Sequence, residues 1–254
     1  MLLKLIACNV FMREACLGIA HSPHVIDVEF LELGEHVHSD RLRQALQTKI
    51  DRAEEAAKKY DAILLLYGLC GNAAVGLRVS KTRLVLPRAH DCCTILLGSK
   101  QRFQENFEQD PSTPFSSIGY LERGEYFIRT DTGDGQIEYG DQYAALVEQY
   151  GEDNAKYIWE NMHPESSEAG NKRVVFIDIP ETSSLGGEQR FREKAEKENR
   201  QIERLVGDLT LIRRLLHGDW NAEDFLIVEP GQQTAGVYDW TEIVRAMPSD
   251  LSEK

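Results

Sequence analysis

Apolar residues along the chain fall into two patterns. Short, near-continuous apolar runs occupy residues 2–7, 25–31, 62–67, 83–86, 173–179 and 225–229. Such runs suit strands covered on both faces, as in a parallel sheet between helix layers, whereas a strand with one wet face alternates apolar and polar residues. The run 25–31 alternates in part, which marks it as an edge strand. Between the runs the apolar period lengthens to that of a helix. Leu42, Leu46, Ile50, Ala53 and Ala57 share one face of a charged segment that follows Ser39 and Asp40, two residues suited to cap its start. Phe191, Ala195, Ile202, Leu205, Leu209, Ile212 and Leu216 keep such a face over about 30 residues, which predicts one long helix stopped at Gly218. A shorter helix beginning near Thr94 carries Ile95, Leu96, Phe103 and Phe107.

This alternation predicts an α/β fold: a mostly parallel open sheet of about six strands with helices on both faces, Rossmann-like in outline. Residues 110–170 interrupt it. Pro111, Pro114, Gly119, Gly124, Gly133, Gly135 and Gly140 precede a helical pattern from Asp141 to Met162. Roughly sixty residues between two strands exceed an ordinary crossover. The segment reads as an insertion in a single α/β domain spanning 1–254, a lid over the ligand crevice or a subunit contact.

Composition narrows the partners. The 254 residues are 42% hydrophobic and 28% charged, enough for a sizeable core, and the net charge is −13. That charge argues against nucleic acid and anionic membranes, which need clustered Lys and Arg. No apolar run reaches the roughly 18 residues of a membrane span. Residues 1–10 also lack the apolar stretch and cleavage site of a secretion signal, so the expected compartment is the cytoplasm. There, five cysteines read as buried thiols, metal ligands or reactive groups and not as a disulfide framework.

The chemistry-bearing residues follow the apolar runs. The run 62–67 leads into Gly68-Leu69-Cys70-Gly71-Asn72, and the run 83–86 leads into Pro87-Arg88-Ala89-His90-Asp91-Cys92-Cys93; Cys8 directly follows the first run. In an open α/β sheet the loops at the carboxyl ends of the strands form the ligand crevice, so these residues converge although they lie far apart in the chain. Cys8, Cys70, His90, Cys92 and Cys93 are therefore candidate ligands for zinc or iron, an iron–sulfur cluster included. No C-x-x-C pair supports the set, and buried cysteines also end strands simply to pack.

A second reading makes Cys70 a nucleophile. It sits in a tight glycine turn, with a helix expected near Asn72 whose N-terminus would lower the thiol pKa, with His90 as base and Asp91 or Glu32 orienting that imidazole. A third reading binds a small anionic molecule: Gly68, Gly71 and Asn72 let backbone approach it, Arg88 clamps it, and Ser99 after Gly98 serves a similar purpose. His36 and His38 follow the second run and lie at the same edge, whereas His21 and His24 precede it and lie roughly 20 Å or more away.

These residues also carry a family resemblance. Ala7-Cys8, Ile26-Asp27-Val28-Glu29-Phe30-Leu31 with Gly34 and His36, Tyr67-Gly68-Leu69-Cys70-Gly71-Asn72 with Val75-Gly76-Leu77, and Pro87-Arg88-Ala89-His90-Asp91-Cys92 running to Leu97-Gly98-Ser99 resemble domain-of-unknown-function family 1638. The likeness is strongest over the first 100 or so residues. It implies a single α/β domain and fixes no activity. Its members are often encoded near corrinoid-dependent methyl-transfer systems, which implies one-carbon metabolism and a corrinoid or methyltransferase protein as partner. The D-x-H-x-x-G signature of a base-off corrinoid site is absent from the chain. A metallochaperone that hands on its metal without turnover fits the same residues.

Overall fold

The computed structural model describes residues 1–32, 39–110, 113–123, 173–237 and 239–249. The strands are β1 (Leu2–Cys8), β2 (Val25–Leu31), β3 (Ala62–Leu66), β4 (Leu84–Pro87), β5 (Phe115–Ser116), β6 (Arg173–Asp178), β7 (Gln201–Val206), β8 (Phe225–Val228), β9 (Gln232–Gly236) and β10 (Val244–Pro248). The helices are α1 (Met12–His21), α2 (Ser39–Glu55), α3 (Cys92–Leu97), α4 (Lys100–Phe107), α5 (Ile118–Arg123), α6 (Gly187–Lys197) and α7 (Thr210–His217), with 3-10 turns at Asn9–Phe11 and Pro180–Leu185.

The main sheet has five strands in the order β2-β1-β3-β4-β8. The first four run parallel, and β8 pairs antiparallel with β4. Every residue of β3 and β4 is buried, as is β1 from Leu5 onward, so both faces of the centre are covered. α7 packs on β3 and β4, α1 packs on α7, and α2 packs on β1. β2 is the half-exposed edge that its alternation predicts.

Six runs do not make one six-stranded sheet. The run that contains β6 pairs instead with β5 and β7 in a separate parallel sheet of order β5-β6-β7. Its residues alternate between two partners: Val175 and Ile177 join the core of the main sheet, while Val174 and Phe176 pack with Phe191 and Ala195 of α6. The antiparallel course of β8 is likewise invisible in its composition, because a buried apolar run reports cover on both faces and carries no direction.

The long helix expected from Phe191 to Leu216 is three elements. α6 ends before Asn199, whose φ of 55° turns the chain, and β7 and α7 follow. Apolar residues three apart share a face in a helix but lie on opposite faces of a strand. Ile202 and Leu205 use the second geometry: Ile202 packs with the α6 cluster and Leu205 with the main core. The helix expected around Thr94 is also divided, because Gly98 (φ 80°) ends α3 and Ser99 restarts the chain as α4. Of the expected insertion 110–170, β5 and α5 are described and lie in the second sheet's layer; residues 111–112 and 124–170 lie outside the described residues.

No helix among the described residues is long and apolar enough to cross a membrane. One carboxyl group stands out within the fold. Glu14, in the first turn of α1, is 1% exposed, and neither of its carboxyl oxygens has a hydrogen-bond partner among the described residues. Burial pushes its pKa from 4.5 up to about 7. Between those values the folded chain keeps a proton that the unfolded chain has released, so stability falls as pH rises through this window and levels off above it, by up to ~3 kcal/mol. Urea midpoints of Glu14→Gln against the parent should therefore diverge from pH 5 to pH 7, the variant becoming relatively more stable; a gap independent of pH would contradict the assignment.

Candidate thiol site

The order of the main sheet reverses between β1 and β3, and ligand crevices in open α/β sheets form outside the carboxyl ends of strands at such a reversal. Cys8 is the last residue of β1. Beyond β3 the chain continues beside the loop that leaves β4: Leu69 N–H donates to Ala89 O at 2.9 Å and Cys70 N–H donates to His90 O at 3.1 Å. Gly68 permits this pairing, because a Cβ there would lie 2.6 Å from Asp91 Cα. The chain then turns through three successive left-handed residues, Cys70 (φ 47°), Gly71 (φ 64°) and Asn72 (φ 67°).

This turn replaces the helix expected near Asn72. It is pinned from outside. Arg43 Nη2 donates to Asn72 O at 3.1 Å, and Thr234 of β9 ties down the next residues, accepting from Leu77 N at 2.9 Å and donating to Ala74 O at 2.7 Å.

Asp91 caps α3 by accepting from Thr94 N at 3.1 Å, which makes Cys92 the first helical residue. Cys92 lies within hydrogen-bonding reach of both Cys8 and Cys70. Three strand ends thus deliver three thiols to one place. Cys8 and Cys92 are buried and Cys70 is partly exposed. The hydroxyl of Tyr67 lies beside Cys8, and Tyr120 of α5 is near enough to all three cysteines and to Asp91 for their ionised forms to raise its pKa.

Burial, then the contact with Cys92, pushes the Cys8 thiol well above the ordinary range; for Cys70 the contact with Cys92 comes first and burial second. Burial raises Tyr67 and Tyr120 in the same way. At neutral pH the cluster therefore holds its protons. A group that turns these thiols into thiolates must bring positive charge with it. The turn at Cys70 and the raised thiol pKa supply neither of the features that would activate a lone nucleophile.

The other expected residues lie around this cluster with other partners. The His90 ring packs edge-on against Trp240, centroids 5.3 Å apart, and 6.0 Å from Phe103; burial lowers its pKa. Its backbone, not its ring, joins the thiol loops. Cys93 is wholly buried one position further along α3, where burial raises its pKa and the charge of Arg173 from β6 opposes that rise. Arg88 Nε donates to Ala222 O at 3.0 Å and Nη1 to Glu242 O at 2.8 Å and to Val244 O, so its guanidinium holds the segment around β10 in place. Ser99 caps α4, accepting from Arg102 N at 3.1 Å. His36 and His38 lie outside the described residues.

Among the described residues no group of three or more His, Cys, Asp and Glu side chains is spaced to hold a metal ion as it stands.

Sequence reading missed the roof of the site. β5 has two residues, too few for any pattern, yet it leads into α5, which packs on the turn Asn9–Phe11. The approach is so close that a Cβ on Gly119 would lie 1.8 Å from Val10 O. Gly119 was the available signal, as a glycine with no turn to explain it.

The family model described as "Protein of unknown function (DUF1638)" matches residues 30–216. Cys70 and Cys92 fall inside that span and Cys8 before it. No curated protein and no solved structure matches the chain.

Two outcomes follow from this geometry. Alkylation followed by peptide mass mapping at pH 7.5 should modify exposed Cys16 first and Cys8, Cys70 and Cys92 slowly, with Cys70 accelerating only as the pH passes well above the usual thiol range; rapid labelling of Cys70 at pH 7 would contradict the neutral cluster. Because a left-handed residue with a Cβ carries a cost of about 1 kcal/mol, Cys70→Gly should be more stable than Cys70→Ala by about that amount in urea unfolding, and equal stabilities would contradict the strained turn.

Proposed function

Since the chain belongs to the DUF1638 family, described only as of unknown function, its chemistry rests on its own residues, and we propose that it binds zinc, iron or an iron–sulfur cluster through Cys8, Cys70 and Cys92. The observation that carries this reading is the position of Cys92 within reach of both other thiols at the reversal point of the sheet. Three neutral thiols packed together are a poor nucleophilic centre and a good latent ligand set. Cys8, Cys70 and Cys92 would hold a thiophilic cation as thiolates, their protons passing to solvent on binding.

Three thiolates leave a fourth position for a small ligand or for a ligand supplied from elsewhere, which is the arrangement of a Lewis-acid centre. The physiological setting we infer is cytoplasmic, corrinoid-linked one-carbon metabolism, with a corrinoid or methyltransferase protein as partner. Because binding releases protons from groups with raised pKa, affinity should rise steeply with pH.

The test is elemental analysis of protein purified without oxygen. Stoichiometric zinc or iron is expected in the parent and in Cys16→Ala, with loss in Cys8→Ala and Cys70→Ala and the greatest loss in Cys92→Ala, the shared member. Metal retained in Cys92→Ala, or no uptake of added zinc or iron by the reduced parent, would refute the assignment.

A further inference from the structure

A cavity of about 440 Å³ has a lining that includes none of the three clustered thiols. Met12, Arg13, Cys16 and Leu17 line it from α1, Arg123 from the end of α5, and Glu181 and Thr182 from the turn Pro180–Leu185. The three segments share an origin. α1 follows β1 through Asn9–Phe11, α5 follows β5, and the turn follows β6, so each leaves the carboxyl end of a parallel strand. That edge is where open α/β sheets hold their ligands. The volume also lies within the roughly 300–1,000 Å³ of small-molecule sites.

The charges of the lining are unevenly matched. Arg13 is held by both oxygens of Glu122, through Nε at 2.8 Å and Nη2 at 2.7 Å. Glu181 is paired with Arg213. Arg123 remains: its Nη2 donates to Met12 Sδ at 2.8 Å, and it makes no ion pair among the described residues. A thioether is a neutral, weak acceptor and leaves the guanidinium charge in place. Nor does Glu122 cancel it, because Arg13, Arg123 and Arg190 of α6 all act on that one carboxylate and hold its pKa below the usual range. The cavity thus joins a locally cationic rim to the apolar side chains of Met12 and Leu17, in a chain whose net charge is −13.

We propose that this cavity binds a small organic monocarboxylate, with the apolar body against Met12 and Leu17 and the carboxylate on Arg123. A guanidinium takes a carboxylate through two parallel N–H bonds, which the contact with sulfur cannot match. A bare inorganic anion would forgo the apolar contacts, and an amine would meet Arg13 and Arg123. The site is independent of the metal-site reading and stands or falls without it.

Cys16, exposed and part of the lining, reports occupancy. The full chain is incubated with hexanoate, hexanol or hexylammonium at constant ionic strength. Alkylation of Cys16 by iodoacetamide, an uncharged reagent, is timed by peptide mass mapping, and the Met12 methyl resonance is followed in parallel samples. Hexanoate is expected to slow Cys16 saturably and to shift Met12 over the same concentration range, hexanol to do so more weakly and hexylammonium not at all. Arg123 is exposed, so Arg123→Gln should fold as the parent does. That variant should bind hexanoate about tenfold more weakly, the loss expected for a charge-assisted hydrogen bond, which brings hexanoate close to hexanol. No saturable slowing by hexanoate, equal protection by hexylammonium, or undiminished hexanoate affinity in Arg123→Gln would each overturn the proposal.

Discussion

Two backbone hydrogen bonds, from Leu69 N–H to Ala89 O and from Cys70 N–H to His90 O, carry the pairing of β3 and β4 past the end of the sheet, and the thiol site depends on that extension. Without it the loop bearing Cys70 and the helix bearing Cys92 would part where the strands stop. The bonds require backbone contact at Gly68, which any Cβ would prevent. They also force the chain to reverse at once, through Cys70, Gly71 and Asn72 in left-handed conformations. Strain in a residue that bears a side chain persists only where the surroundings over-determine it. Here Arg43 and Thr234 do so from two sides. The hairpin of β9 and β10 is therefore part of the site's support although it contributes no thiol.

The same closeness sets the chemistry. Thiols at hydrogen-bonding distance in a buried edge cannot ionise together, since each thiolate would repel the next and lose its hydration. The cluster is protonated at rest. Tyr120 is carried by α5, which follows β5 of the second sheet, so the surroundings of the thiols draw on both sheets.

Much of this was legible in the residues, in proportion to how local the cause was. The runs that became β1, β2, β3, β4 and β8 are strands because buried Val, Ile and Leu in short stretches suit a covered sheet, and their carboxyl ends put Cys8, Cys70 and Cys92 at one edge. Which runs share a sheet is not local: β6 has the composition of a central strand and found its partners in β5 and β7. The spacing of Ile202 and Leu205 fits a helix face and two strand faces equally, and only tertiary packing decides between them. Side-chain direction was the other blind spot. His90 follows β4 as closely as Cys92 does, yet its ring turns to Trp240, and Arg88 and Ser99 serve backbone groups.

Cys8, Cys70 and Cys92 are proposed to act on one metal. X-ray absorption at the metal edge of the zinc- or iron-loaded chain tests it most directly, because it counts sulfur neighbours and measures their distance. Three sulfur neighbours near 2.3 Å are expected for zinc, reduced by one in Cys92→Ser. A first shell of nitrogen and oxygen alone, or a sulfur count unchanged by Cys92→Ser, would contradict it.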